Sequence, residues 1–104
     1  MLLYLKWLLT ILYMNQESLD LVDFFLSLLA YIRPDMNIDL NTIFLSLKLE
    51  NIDYTLISIE CEEKYKIIVD EQTLASCIFV RDAITYLEGL LVDKKKNYYE
   101  IIHS

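Results

Sequence analysis

The chain has almost none of the residues that punctuate a backbone, with one glycine and one proline in 104 residues. So few turn formers leave little room for a many-stranded sheet and favour helices. Cysteine is scarce too. Cys61 and Cys77 are spaced like no zinc motif, and two buried reduced thiols are expected rather than a disulfide. The single histidine, His103, has no partner in the sequence, so neither triad catalysis nor metal ligation is expected of it. Glycine-rich phosphate loops and nucleophile elbows are missing. Acids abound, but nothing in the sequence sets two of them in a cleft for general acid–base work, and no enzyme activity is expected. Positive charge is short as well: nine Lys and Arg stand against sixteen Asp and Glu, a net charge of −7. That balance argues against a nucleic-acid partner and fits a basic protein surface. The apolar run at the start is shorter than the roughly 20 residues a membrane-spanning helix needs, so a cytoplasmic protein without a transmembrane span is expected.

What is present in excess is apolar residues, at 56%. This exceeds the usual fraction for a domain of this size, and part of the surplus is expected to serve a partner. The length suits one domain with a modest core. Met1 to Met14 is almost wholly apolar. Lys6, Thr10 and Tyr13 recur at helical spacing, which predicts a helix. Lys6 inside the apolar run and the lack of a small-residue cleavage site fit a signal peptide poorly. Either the segment packs on the domain's own core, or it docks on an enzyme, a membrane surface or a second copy, making a homo-oligomer.

From Glu17 to Ile32, Asp20, Asp23 and Ser27 form a polar stripe, and Leu19, Val22, Phe25, Leu26 and Leu29 are expected to face inward. Arg33-Pro34 should end this helix, because proline disfavours helical geometry in the residue before it. Residues 35–49 read as a loop with apolar anchors Ile38, Leu40, Ile43, Phe44 and Leu47, which periodicity fits to a helix or a strand equally well. Tyr54–Ile59 and Tyr65–Val69 are rich in β-branched and aromatic residues, so residue type alone reads as a β-hairpin turning at Glu62-Glu63-Lys64. Three helices, that hairpin and a closing helix would then make a winged-helix interaction module.

The run from Thr42 to Glu71 resembles the heart of the acyl carrier protein family. That family reads T-x-F-x-x-L-G-L-D-S-L-D, then a helix ending in E-E-x-F, then I-P-D-E. Thr42, Phe44, Leu47, Leu49, Glu50, Ile52 and Asp53 fall in step with it, as do Glu62, Glu63, Tyr65, Ile68, Asp70 and Glu71. Phe79 to Glu88 is similar to the family's last helix, usually T-V-x-D-A-I-x-Y-I-E, and Val80, Ala83, Ile84 and Leu87 should close the core from it. Three departures stand out. Asn51 occupies the position of the serine that carries phosphopantetheine, and an amide offers no hydroxyl to form the phosphodiester. Lys48 stands where the family has glycine, and Val69 where it has proline. Ser18, in Glu17-Ser18-Leu19-Asp20, looks like the serine motif but lacks the signals on either side of it.

The resemblance implies an all-α fold, an acyl-carrier-like four-helix bundle over residues 15–92, with the hydrophobic N-terminal helix (1–14) and a C-terminal tail (93–104) added. It implies a helix, not a hairpin, from Asn51 to Tyr65. It implies no cofactor, since the prosthetic arm has no attachment point at Asn51. It also implies docking through Glu50, Asp53, Glu60, Glu62 and Glu63 on a synthase, transferase or modifying enzyme of fatty-acid, polyketide or related biosynthesis. Between Glu50 and Glu71 seven acids face only Lys64 and Lys66. Such charge steers and orients association more than it adds affinity. A working carrier with its arm elsewhere is the alternative.

Overall fold

A computed structural model describes the backbone of residues 19–103 and the side chains of residues 19–94. The described part is all-α: helix α1 (residues 19–32), a 3₁₀ turn (Phe44–Leu47), α2 (Asn51–Tyr65), α3 (Glu71–Ala75) and α4 (Val80–His103). No helix among the described residues is long and apolar enough to cross a membrane. Met1–Met14 and Ser18 lie outside the described residues.

Helix α1 buries Leu21, Phe25 and Leu29, spaced four apart on one face, and exposes Asp20, Asp23 and Ser27. Val22 and Leu26 lie at the edge of that face, while Leu19, expected inside, is 65% exposed. The inward stripe is therefore centred on Leu21 and Phe25. The helix stops before Arg33-Pro34 as the sequence predicts, and Arg33 N–H closes the last turn on the Leu29 carbonyl at 2.8 Å.

The following loop needs no strand or long helix to be ordered. The Asp39 N–H donates to Thr42 Oγ1, and the Asn41 N–H to Asp39 Oδ1, both at 2.9 Å. This short polar turn delivers Phe44 and Leu47 into the core. Phe44 lies between α1 and α2, its ring centroid 6.1 Å from Phe25 and 5.9 Å from Tyr54. The first N–H groups of a helix have no partner within the helix itself. Here the loop satisfies two of them, because Val80 donates to the Thr42 carbonyl at 2.9 Å and Arg81 to the Leu40 carbonyl at 3.0 Å. Phe44 N–H returns the bond to Ile78. The residues 43 and 79 thus meet in an isolated bridge, and there is no strand among the described residues.

Residues 54–65, which by residue type suit a hairpin, are helical. Helix α2 buries Ile57, Ser58 and Cys61 at helical spacing, and its Tyr65 ring meets Phe24 of α1 edge-on at 5.7 Å. Strand propensity is worth under about 1 kcal/mol per residue, less than burying one such side chain. One local cost remains, as Ser58 Oγ is buried without a hydrogen-bond partner. Lys66 ends α2 in the left-handed conformation (φ 55°), its N–H on the Glu62 carbonyl. In the segment that follows, Ile67 and Val69 are buried and Ile68 between them is exposed.

Helix α3 is capped by Asp70, whose carboxylate accepts from Gln72 N–H at 3.1 Å and from the Thr73 hydroxyl at 3.0 Å. Asp70 N–H in turn donates to the Tyr86 hydroxyl of α4. Helix α4 buries Val80, Ala83, Ile84 and Leu87, as expected. It does not stop at Gly89 and continues through residues that the sequence suggested as a tail, to His103. Lys94 complements a helix C-terminus, that of α2, donating to the Tyr65 carbonyl at 2.9 Å.

Candidate functional site

Asn51 is the first residue of α2 and is exposed. Just before it, Lys48 adopts the left-handed conformation (φ 51°, ψ 48°) and is exposed as well. A side-chain-bearing residue there costs roughly 1 kcal/mol or more, so this is the backbone shape that glycine adopts most cheaply. Lys48 thus holds, at the entry to α2, a backbone shape that a glycine would take more cheaply. Asn51 brings an amide, which accepts and donates hydrogen bonds but is no nucleophile.

The five candidate docking acids do not behave alike. Glu50 and Glu63 are exposed, and Glu60 is half-buried. Asp53 is engaged in structure: its Oδ2 accepts the Glu50 N–H at 2.9 Å and so closes the first turn of α2. Glu62 is engaged too, its Oε1 accepting the Val69 N–H at 3.4 Å. Glu50 shares a capping box with Asp53, so the outward charge of the helix is carried chiefly by Glu60 and Glu63.

Two residues missed by sequence reasoning stand among these acids. Ile52 is 72% exposed and Ile59 is 47% exposed. With Leu56 and Glu63 they follow helical spacing along the side of α2 away from Ile57 and Cys61. The signal was present in the sequence, since Ile52 and Ile59 are seven apart and out of phase with the core pair. It carries information only once the core side of α2 is known. An apolar ridge flanked by acids can bury against a partner while the charges orient it.

Both thiols are free and unsuited to nucleophilic chemistry. Burial pushes the Cys61 thiol up to about 12, with Glu60 and Glu62 adding to it. Burial, then Asp82, also raises Cys77, whose Sγ lies 3.4 Å from the Thr73 carbonyl. The thiolate is the reactive form, and both environments disfavour it. Burial followed by the charge of Asp53 raises the Tyr54 hydroxyl as well. Among the described residues no group of three His, Cys, Asp or Glu side chains converges as a metal site. In comparisons with known proteins, no family model, no curated protein and no solved structure matches this chain.

Proposed function

We propose that this chain is an acyl-carrier-like protein without a prosthetic arm, a non-catalytic binding partner of a synthase, transferase or modifying enzyme. The observation that carries this reading is the solvent side of α2, where exposed Ile52 and Ile59 stand among Glu50, Glu60 and Glu63. A helix apolar on both sides is built to be covered on both. The left-handed backbone at Lys48 supports the register of the resemblance, because it occurs at the position where the family has glycine. Burial of Phe44 and Leu47, the anchors of the T-x-F-x-x-L pattern, supports it independently. With an amide at 51, the site orients a partner but receives no cargo through it. The partner's complementary surface would be basic with an apolar centre.

Intact mass after incubation with coenzyme A and a phosphopantetheinyl transferase tests this reading. The natural chain should gain nothing, and Asn51→Ser should gain one phosphopantetheine. A gain by the natural chain would point to a working carrier whose arm sits elsewhere, with Ser18 the residue to replace next.

A further inference from the structure

Arg81, at the start of α4, is held from three directions and yet meets no acid. Its N–H donates to the Leu40 carbonyl at 3.0 Å, its Nη1 donates to Asn41 Oδ1 at 2.7 Å, and its guanidinium lies 4.4 Å over the Phe79 ring. Arg33 and Lys64 each have a carboxylate partner, but among the described residues none lies within ion-pair distance of Arg81. The acids near it are engaged elsewhere. Asp39 Oδ1 accepts from Asn41 N–H and Thr42 Oγ1, and Asp82 Oδ2 accepts from Phe79 N–H. An exposed arginine fixed in this way keeps most of its donors free, a planar fork ready for a carboxylate.

Apolar side chains border this arginine. The bonds from Phe44 N–H to the Ile78 carbonyl and from Val80 N–H to the Thr42 carbonyl flank the Ile43–Phe79 bridge. In an antiparallel pair of that kind the two side chains lie close together on one face. Ile43, 49% exposed, therefore continues the surface made by Phe79 and Arg81. Leu45 and Ile78, at neighbouring positions of the two segments, are more exposed still, at 82% and 64%.

The outer side of α2 is the complement of this face. Ile52 and Ile59 are exposed there, and among the described residues no cation pairs with Glu60 or Glu63. One face lacks an acid, the other lacks a cation, and both leave apolar area uncovered. Both are fixed to the same fold, so a chain cannot join them within itself.

We infer that the outer side of α2 in one copy docks on the Ile43–Phe79–Arg81 face of a second copy, with Glu60 or Glu63 on the Arg81 guanidinium. The contact is heterologous, since each copy offers a different face and keeps one of each kind free, so the assembly grows with concentration. The net charge of −7 opposes association, which makes the contact weak, with a midpoint on the order of 0.1–1 mM. The inference rests on the docking role given to α2 above and names the chain itself as an occupant of that ridge. It does not need the carrier motifs.

Sedimentation equilibrium of the full-length chain, then of two variants apart and mixed, tests the contact. The mean mass of the natural chain should rise above that of a monomer as its concentration approaches about 1 mM. Arg81→Glu spoils only the face on α4 and Ile59→Glu only the ridge on α2, so each alone should associate at least about tenfold more weakly. Mixed in equal amounts they should regain a dimer, because the first keeps its ridge and the second keeps its Arg81 face. A natural chain that stays monomeric would overturn the inference. Association retained by either variant would also overturn it, by placing the contact on other faces, and so would a mixture that stays monomeric. Thermal melts show whether the variants are folded. If either melts early, Ile78→Glu takes the place of Arg81→Glu, and Ile52→Glu that of Ile59→Glu. Phosphopantetheine uptake by Asn51→Ser is independent of all these outcomes, so failure of the self-contact and failure of the carrier-like reading are told apart.

Discussion

Helix α4 keeps its apolar residues on one side over the bundle, where Val80, Ala83, Ile84 and Leu87 are buried while Arg81 and Thr85 are exposed. Helix α2 divides its own between two sides, burying Ile57 and Cys61 and leaving Ile52 and Ile59 in solvent. The two helices begin alike. In each an aspartate in the first turn accepts the N–H of the residue before the helix, Asp53 from Glu50 and Asp82 from Phe79, both at 2.9 Å. Capping therefore does not distinguish them. What differs is apolar area left over: α4 spends its stripe on the core, and α2 holds back a second stripe. Fully burying an isoleucine is worth about 1.5–3 kcal/mol, a gain that Ile52 and Ile59 have mostly still to make.

The largest expected contrast is between the two stripes. Leu87→Ala should destabilise the fold by about 2–5 kcal/mol, whereas Ile52→Ala should stay within about 0.5 kcal/mol, both read by urea unfolding. A comparable loss at Ile52 would mean that the outer side of α2 already packs.

Alkaline pH probes the buried side of α2. The folded Cys61 thiol is raised from an ordinary value of 9.0 to about 12, so the folded state holds its proton longer than the unfolded chain does. Stability from this group is thus complete below about pH 9 and is lost as pH rises towards 12. Melting temperature measured from pH 8 upward should fall across that window, and Cys61→Ala should flatten the fall. An equal slope in the variant would assign the loss to other groups.

Removing either cap should show how alike the two helix starts are. Asp53→Ala and Asp82→Ala should each cost about 1 kcal/mol by chemical denaturation. A loss confined to one of them would show that the two starts are not equivalent.

The smallest effects run in opposite senses of substitution. Gly89 sits inside α4 with nothing within 4 Å of an added Cβ, so Gly89→Ala should stabilise by about 0.5–1 kcal/mol. Lys48 precedes α2 in the left-handed region, and there Lys48→Gly should stabilise by a similar amount. Thermal melts of the two variants would detect both, and destabilisation by Lys48→Gly would mean that the lysine side chain stabilises the entry to α2.

By itself the sequence determined the class of fold and several of its fixed points. One glycine and one proline left helices as the economical solution, Arg33-Pro34 stopped α1, and the spacing of Val80, Ala83, Ile84 and Leu87 marked the core side of α4. These are local or strictly periodic signals, so a single segment is enough to read them. Tertiary structure decided the rest. It made 54–65 a helix against local preference, because Phe44 and Phe24 offer packing partners for Tyr54 and Tyr65 that no local term contains. It centred α1 on Leu21 instead of Leu19. At the candidate site the acids were legible as a charge count, but their roles were not. Asp53 and Glu62 were drawn into hydrogen bonds with the backbone, and Ile52 and Ile59 proved to be the outer ridge. Exposure belongs to the neighbours of a residue, and in a helix apolar on both sides only those neighbours decide which side is core.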